Sequence, residues 1–320
     1  MSSIKELSLL IEKEINSINL PDNPKNLYDP FKYILNLKGK RTRPLLSLLA
    51  YKLFNSNVKN ALPVAIAIEL FHNFTLIHDD IMDNAPIRRG NLTVHNKWDD
   101  NTAILSGDVM MITCYKYLQK INSEYLNAAI NIFNNMAIKV CEGQQFDMDF
   151  ELNKSVSISD YIKMIEYKTA VLIASSLQLG SLVAGANNKD MDHMYNFGIN
   201  IGLAFQLKDD LLDVFGSIES FGKQIGGDIL SNKKTFLFLK AMQVADIKQK
   251  IQLEKLYSGE ASEKKIELVK DIFTKLNIEK HTVDLMKAYY TKAIKHLDAV
   301  NAQDKSDLRY ITDKLMQRTS

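Results

Sequence analysis

Apolar residues recur at every third or fourth position along most of the chain, and sustained two-residue alternation is hard to find. The same spacing predicts an amphipathic helix at the N-terminus and a long apolar helix that runs up to about residue 81. We therefore predict an all-α protein with about ten or more helices, in which strands are not needed. Further helices are predicted at about 45–55, 103–119, 126–146, 158–185, 191–215, 232–245, 262–275, 281–299 and 303–317.

The prolines are confined to the N-terminal part of the chain. All six lie within the first 86 residues, so nothing after Pro86 forbids continuous helix. No segment of the 320-residue chain has the composition of a linker. We therefore predict one large helical domain that spans residues 1–320. Loops are predicted at 18–30, 84–92, 147–157 and 216–231, the last because it holds four glycines.

The composition of the chain disfavours some classes of function. Hydrophobic residues make up 46% and charged residues 24%, and the net charge is only +2. No global field favours nucleic acid or an anionic membrane, so charge-driven chemistry must come from local clusters. Charged residues interrupt the N-terminal apolar run, which is therefore not typical of a signal peptide, and no stretch has the composition of a stable membrane anchor. The two cysteines, Cys114 and Cys141, are too few for a disulfide framework. We expect a cytoplasmic protein.

An acidic cluster ends the long apolar helix in the stretch LIHDDIMDNAPIRRG, residues 76–90. Asp79 and Asp83 share a helix face, with His72 seven residues earlier on it. Like charges four residues apart destabilise a helix, and the negative end of its dipole adds to the cost. The cluster therefore predicts cation binding rather than helix stability.

The same spacing returns 130 positions later in AFQLKDDLLDVFG, as Asp209, Asp210 and Asp213, again where an apolar helix ends. One such triplet is usually a solvated helix end. Two with identical spacing and placement predict two halves of one site that bind hard divalent cations, and Mg²⁺ takes few protein carboxylates alongside phosphates and water. Zinc is disfavoured because no H-E-x-x-H pattern is present.

Basic residues supply the opposite charge. The segment GKRTRP places Lys40, Arg41 and Arg43 before Pro44, at a predicted helix start, where free N–H groups and the dipole favour phosphate. Arg88 and Arg89 follow the first acidic cluster. Three further lysines lie near uncharged or glycine-rich stretches, namely Lys168, Lys223 and Lys233. Any one of these lysines alone would be interpreted as a surface residue. A pair of diphosphate substrates would satisfy both kinds of cluster, one through Mg²⁺ and one directly through Lys and Arg.

From about residue 39 to 235 these motifs resemble the trans-isoprenyl diphosphate synthase (polyprenyl synthetase) family, of the short-chain, farnesyl or geranylgeranyl diphosphate synthase type. The resemblance implies the isoprenoid synthase fold, a helical bundle around a central apolar cavity. It implies isopentenyl diphosphate and an allylic prenyl diphosphate as substrates, Mg²⁺ as cofactor, commonly three ions, and a homodimer.

The resemblance also implies a role for each matched residue. Asp79, Asp83 and Asp209 are the expected metal ligands, with Asp80, Asp210 and Asp213 beside them, and Phe74 and Thr75 are expected to limit chain length. The residues expected to bind the allylic diphosphate are Lys168, Arg88, Lys223 and Lys233; those for isopentenyl diphosphate are Lys40, Arg43, His72 and Arg89; those that flank the developing cation are Thr169 and Gln206.

The implied reaction is a head-to-tail, trans condensation. The allylic C–O bond breaks, the double bond of isopentenyl diphosphate attacks the resulting carbocation and a proton is lost, while the apolar interior excludes water. Phe74 favours a product of C15 to C20. Four alternatives remain: a longer-chain polyprenyl diphosphate synthase, a terpene cyclase of related fold, a non-catalytic subunit of a heteromeric synthase and a helical scaffold without substrate. The cyclase is disfavoured because DDLLD replaces the second motif usual in cyclases.

Overall fold

The computed structural model describes residues 3–153, 155–216 and 226–317. The structure is 78% helical and, in the described residues, has almost no strands, which confirms the all-α prediction. The α-helices are α1 (Ile4–Asn16), α2 (Lys25–Asn36), α3 (Thr42–Lys52), α4 (Leu62–Met82), α5 (Val94–Lys97), α6 (Asp100–Leu118), α7 (Ser123–Leu152), α8 (Ile158–Ile165), α9 (Val171–Val183), α10 (Asn188–Phe215), α11 (Gly227–Leu230), α12 (Phe236–Val244), α13 (Ile247–Tyr257), α14 (Glu263–Lys275), α15 (Ile278–Ala299) and α16 (Ser306–Gln317). A 3₁₀ turn (Val58–Ala61) precedes α4, and a π-helical turn (Glu166–Ala170) joins α8 to α9.

The prediction that strands are not needed requires one correction. Within the predicted loop 84–92, β1 (Ile87–Arg88) pairs antiparallel with β2 (Asn91–Leu92). The two residues between them, Arg89 and Gly90, both have positive φ, 51° and 76°, as a two-residue hairpin turn requires. The hairpin fixes the direction of the Arg88 and Arg89 side chains, which a plain loop would leave open.

Three of the predicted loops are also wrong in extent. Residues 25–30 belong to α2, although Pro30 lies inside that helix and removes one of its hydrogen bonds. Burial of Phe31, Ile34 and Leu35 outweighs that loss. The loop predicted at 147–157 starts only after α7 ends at Leu152, and the predicted loop 216–231 contains α11.

Helix predictions failed in two other places. Helix α13 was not predicted, because its mean apolar signal is weak and only Leu253 of its residues is buried. The predicted continuous helix 158–185 is interrupted by the π-helical turn, whose Val171 N–H reaches back to the carbonyl of Glu166. Apolar periodicity cannot show such a turn, because it adds a single residue to the spiral without changing composition.

The chain divides into two compact units. Unit 1 comprises residues 1–135, 175–194 and 301–308, and unit 2 comprises residues 136–174, 195–300 and 309–320. The prediction of one domain over 1–320 stays a prediction.

Helix α4 forms the centre of unit 1. Its residues Ile66, Leu70 and Ile77 are fully buried, and the predicted apolar face accounts for them. With the 3₁₀ turn before it, the helix Val58–Met82 is also long and apolar enough to cross a membrane, but 67% of its most apolar window is buried within the protein. Such burial is typical of a core helix in a globular protein.

Unit 2 has its own apolar core. The core includes Leu203 and Leu207 of α10, Leu237 of α12 and Phe273 of α14, all 3% exposed or less. This packing holds α10, which carries the second acidic cluster, against α8 and the π-helical turn. Gly202 of α10 allows the close approach, since a Cβ there would lie 2.5 Å from the Cα of Ala170.

Candidate active site

The first acidic cluster lies in unit 1, where α4 ends. Asp83 caps the helix and donates its backbone N–H to the carbonyl of Asp79 (2.8 Å), so the two carboxylates lie one turn apart, as predicted. Asn84 follows with φ of 47°, and Ala85 N–H bonds the Asp80 carbonyl (2.9 Å), which satisfies the last turn. Asp79 is partly buried and Asp83 is exposed.

The middle aspartate of this cluster has a different environment. Asp80 is fully buried, and Arg88 of the hairpin binds it through Nε, at 2.9 and 3.0 Å from the two carboxylate oxygens, and through Nη2. Burial raises the pKa of Asp80, and the Arg88 guanidinium opposes that shift. A carboxylate that accepts two parallel bonds from one guanidinium fixes its plane, so Asp80 orients Arg88.

The predicted anion pocket is also in unit 1. Arg43 of α3 donates from Nη1 to Nε2 of His72 on α4 (3.1 Å), and the Arg89 guanidinium donates to the Leu37 carbonyl (3.2 Å). Arg89 passes over Gly39, where a Cβ would lie 2.8 Å from Nη1. Lys40, the next residue, is exposed. The structure thus brings the four residues predicted for isopentenyl diphosphate to one part of unit 1.

The charge of His72 follows from its neighbours. Burial lowers its pKa well below the usual value, and the charges of Arg43, Arg89, Arg88 and Arg41 lower it further. A neutral imidazole whose Nε2 accepts from Arg43 carries its proton on Nδ1. At neutral pH the pocket therefore holds arginine charges and one uncharged donor.

The lowered pKa predicts a pH effect on stability. Between the pKa of His72 in the folded protein and about 6.5, the unfolded chain binds a proton at this histidine and the folded chain does not. The free energy of unfolding therefore falls as the pH falls through this window. The slope for one proton is at most about 1.4 kcal/mol per pH unit. His72→Gln should flatten this part of the profile, measured by urea unfolding from pH 7 downwards. Parallel profiles for the wild type and the variant would rule the assignment out.

The second acidic cluster lies in unit 2. Asp210 of α10 is buried and accepts hydrogen bonds from the Tyr161 hydroxyl and from Gln206 Nε2 (3.0 Å). Burial, and next the nearby charge of Asp228, raise the pKa of Asp210 well above the ordinary value of a carboxyl group. Asp209, its neighbour and the predicted metal ligand, is partly buried.

The last aspartate of this cluster shapes the chain that follows. Asp213 accepts the backbone N–H of Asp228 at one carboxylate oxygen (3.1 Å), and its carbonyl accepts the N–H of Gly226 (2.7 Å). These bonds hold α11 against α10 and bring Asp228 near Asp210. Asp213 therefore also has a structural role in unit 2.

A cavity in unit 2 with both polar and apolar walls collects five of the predicted residues. Lys168 and Thr169 lie on the π-helical turn, and Thr169 donates to Gln206 Oε1 (2.9 Å), which continues the hydrogen-bonded chain to Asp210. Lys233 also lines the cavity, which has about 110 Å³ of water-accessible space. That volume holds several waters or part of a polar ligand.

The cavity also contains residues that sequence reasoning missed. Asp147 of α7 pairs with Lys168 Nζ (2.5 Å). Tyr161 and Asp228 line the cavity beside Asp210, and Lys234 donates to the carbonyls of Phe150 (2.5 Å) and other residues at the end of α7. No motif connects these positions in sequence, and only the packing of α7, α8 and α11 brings them together.

The remaining predicted residues are placed as follows. Phe74 contacts His78 edge to face (centroids 4.6 Å apart) and Phe71 in a tilted arrangement (5.6 Å), and Thr75 donates to the His72 carbonyl (2.9 Å). Lys223 lies outside the described residues.

The chain is similar to known proteins over most of its length. The polyprenyl synthetase family model matches residues 24–276. The geranylgeranyl diphosphate synthase of Methanosarcina mazei is 33% identical over 99% of this chain and 98% of its own, and that of Sulfolobus acidocaldarius is 36% identical over 93% and 92%. A crystal structure of a geranylgeranyl pyrophosphate synthase superposes with a TM-score of 0.95 at 41% identity, covering 100% of both chains.

Proposed function

Since the chain belongs to the polyprenyl synthetase family, we propose that it condenses isopentenyl diphosphate with an allylic diphosphate to give a prenyl diphosphate of the C20 range. It is a transferase of the prenyltransferase class. The observation that supports the site assignment most strongly is the chain Thr169–Gln206–Asp210, because residues far apart in sequence join at the positions that the family motifs assign.

Isopentenyl diphosphate is assigned to the anion pocket of unit 1. Lys40, Arg43 and Arg89 would neutralise the diphosphate, and the Nδ1 proton of neutral His72 would donate to a phosphate oxygen. The direct donors are cations and N–H groups, so this diphosphate needs no metal ion there. Its double bond would then point away from the pocket, towards the allylic substrate.

The allylic diphosphate is assigned to Mg²⁺ held by Asp79, Asp83 and Asp209. The donor chemistry fits, because Mg²⁺ takes one or two carboxylates and completes its shell with phosphate oxygens and water. Among the described residues, no group of three or more His, Cys, Asp or Glu side chains is arranged so that it could hold a metal ion by itself. When bound, the ions would stabilise negative charge on the departing diphosphate. Three ions remain our proposal from the family resemblance.

The protein side chains supply the rest of the catalysis. Lys168, Lys233, Arg88 and Lys223 would bind the diphosphate oxygens and favour cleavage of the allylic C–O bond. Thr169 and Gln206 would present oxygen atoms next to the developing cation, and the partly buried hydrogen-bond chain holds the two side chains in place. The released diphosphate would accept the proton lost after the new C–C bond forms.

Product length is assigned to Phe74. Its ring lies one helical turn before Asp79 and is fixed by Phe71 and His78, so it would stop a growing chain along α4. Phe74→Ala should lengthen the product by at least one isoprene unit, as sized by reversed-phase chromatography. Phe54→Ala, a partly buried phenylalanine beyond the end of α3, is the control and should leave the distribution unchanged. Equal products from both variants would refute the role of Phe74.

We also propose a homodimer, as the family resemblance implies, and a cytoplasmic location, as the low cysteine content suggests.

The decisive assay incubates the protein with isopentenyl diphosphate, Mg²⁺ and, separately, the C5, C10 and C15 allylic primers. We expect Mg²⁺-dependent release of diphosphate and products centred on C20. Products of C30 or more would instead favour the longer-chain alternative. Failure of every primer would favour a non-catalytic subunit.

A further inference from the structure

Arg41 lies in the middle of the basic segment GKRTRP, yet its side chain turns into the protein. It is only 7% exposed, while Lys40 before it is exposed and Arg43 after it is partly buried beside His72. Its backbone has φ of 43° and forms the left-handed residue that starts α3. A non-glycine residue holds this conformation only when its surroundings fix it.

The contacts of the Arg41 guanidinium fix it from three sides. Nη1 donates to Glu69 Oε1 on α4 (2.6 Å), Nε donates to Glu12 Oε1 on α1 (3.1 Å), and Nη2 donates to the carbonyls of Leu35 and Leu37 (3.4 Å to the latter). Glu69 is 2% exposed, so the pair is desolvated. A buried charge pair of this kind is strongly specified by geometry, because either partner alone would be an uncompensated charge.

The same network reaches the proposed pocket. Asn73, one residue after His72, donates to the side chain (3.0 Å) and the carbonyl (2.7 Å) of Glu69. The Leu37 carbonyl that accepts from Arg41 also accepts from Arg89. Arg41 therefore contacts the supports of His72 and Arg89 and belongs to the same backbone turn as Lys40 and Arg43.

We infer that Arg41, through Glu69, is a positioning residue that holds the four isopentenyl diphosphate-binding side chains in their relative places without itself touching substrate. This inference rests on the proposed function of the pocket. Lysine could not replace Arg41, since only a guanidinium can donate to two carboxylates and two carbonyls at once.

The test is steady-state kinetics of Arg41→Met with each substrate varied in turn. KM for isopentenyl diphosphate should rise by about 10- to 100-fold, with KM for the allylic primer within about twofold of the wild type. Lys52→Met is the matched control, because Lys52 ends the same helix α3 and forms an ion pair of 2.6 Å with Asp307. It should leave both KM values unchanged.

A second variant separates positioning from loss of stability. The double variant Arg41→Met with Glu69→Gln has no unpaired buried carboxylate at position 69, and the new glutamine can still accept a hydrogen bond from Asn73. The double variant should therefore fold even if Arg41→Met alone does not. The selective rise in KM for isopentenyl diphosphate should persist. Equal rises for both substrates, or no rise in a folded double variant, would overturn the inference. An inactive wild type would instead refute the proposed function.

Discussion

Asp79→Ala is expected to lower kcat for prenyl transfer by at least about 10³-fold, which corresponds to about 4 kcal/mol of transition-state stabilisation. The proposed ions neutralise charge that appears on the diphosphate only as the C–O bond breaks, so their loss affects kcat more than binding. The measurement is the steady-state rate of product formation at saturating Mg²⁺, isopentenyl diphosphate and preferred primer, which gives kcat.

Asp108→Ala is the control for general loss of acidic charge. Asp108 lies on α6 in the same unit, and its side chain is 56% exposed. This variant should retain turnover within about twofold of the wild type, as surface substitutions usually do. Near-normal turnover in Asp79→Ala would refute the ligand assignment, and a similar loss in both variants would show a non-specific effect.

Lys168→Met should lower kcat by about 10²-fold, because it removes one cationic donor from the departing diphosphate while retaining much of the side-chain length. In the structure Lys168 is held by Asp147 at 2.5 Å, and the π-helical turn points it into the cavity of unit 2. The same steady-state assay measures the change.

Lys163→Met provides the comparison at the exposed end of the same segment. Lys163 is on α8, five residues earlier, and faces solvent. We expect wild-type kcat from it. If Lys168→Met retained full kcat, the amino group would have no part in diphosphate departure, and its pairing with Asp147 would be purely structural.

The sequence predicted the helices and the acidic motifs well, because both depend on local spacing. Apolar repeats placed α4 and α10, and the position of Asp79 and Asp209 at helix ends followed directly. Pro30 and α13 show the limit of such reasoning. Tertiary burial kept the first inside a helix, and the weak apolar face of the second gave no signal.

The cavity of unit 2 was only partly predictable, for a different reason. Lys168, Gln206 and Asp210 belong to recognisable motifs, whereas Asp147 and Tyr161 come from separate helices and carry no motif. The π-helical turn that aims Lys168 depends on close contact with α7, where a Cβ on Gly143 would lie 2.3 Å from the Lys168 nitrogen. Contacts of this kind arise from tertiary packing and produce no periodic pattern in the sequence.

The basic segment shows how spacing and role can differ. Lys40, Arg41 and Arg43 look equivalent in sequence, and all three fit an anion site at a helix start. Burial separates them, because Arg41 pairs with Glu69 while its neighbours stay accessible. Two carboxylates, Glu12 and Glu69, decide this, and both lie on other helices. The spacing within the segment therefore could not show where the Arg41 side chain goes, although the family resemblance had assigned only Lys40 and Arg43 to isopentenyl diphosphate.

The central proposal is that the two aspartate motifs serve one magnesium diphosphate. Its most direct measurement is a crystal structure of the protein with Mg²⁺ and a thiolodiphosphate analogue of the allylic substrate, whose C–S bond resists cleavage. The account predicts ions on one diphosphate with oxygens of both Asp79 and Asp209 at about 2.1 Å. Ions and diphosphate held by one motif alone, with the other motif uninvolved, would contradict it.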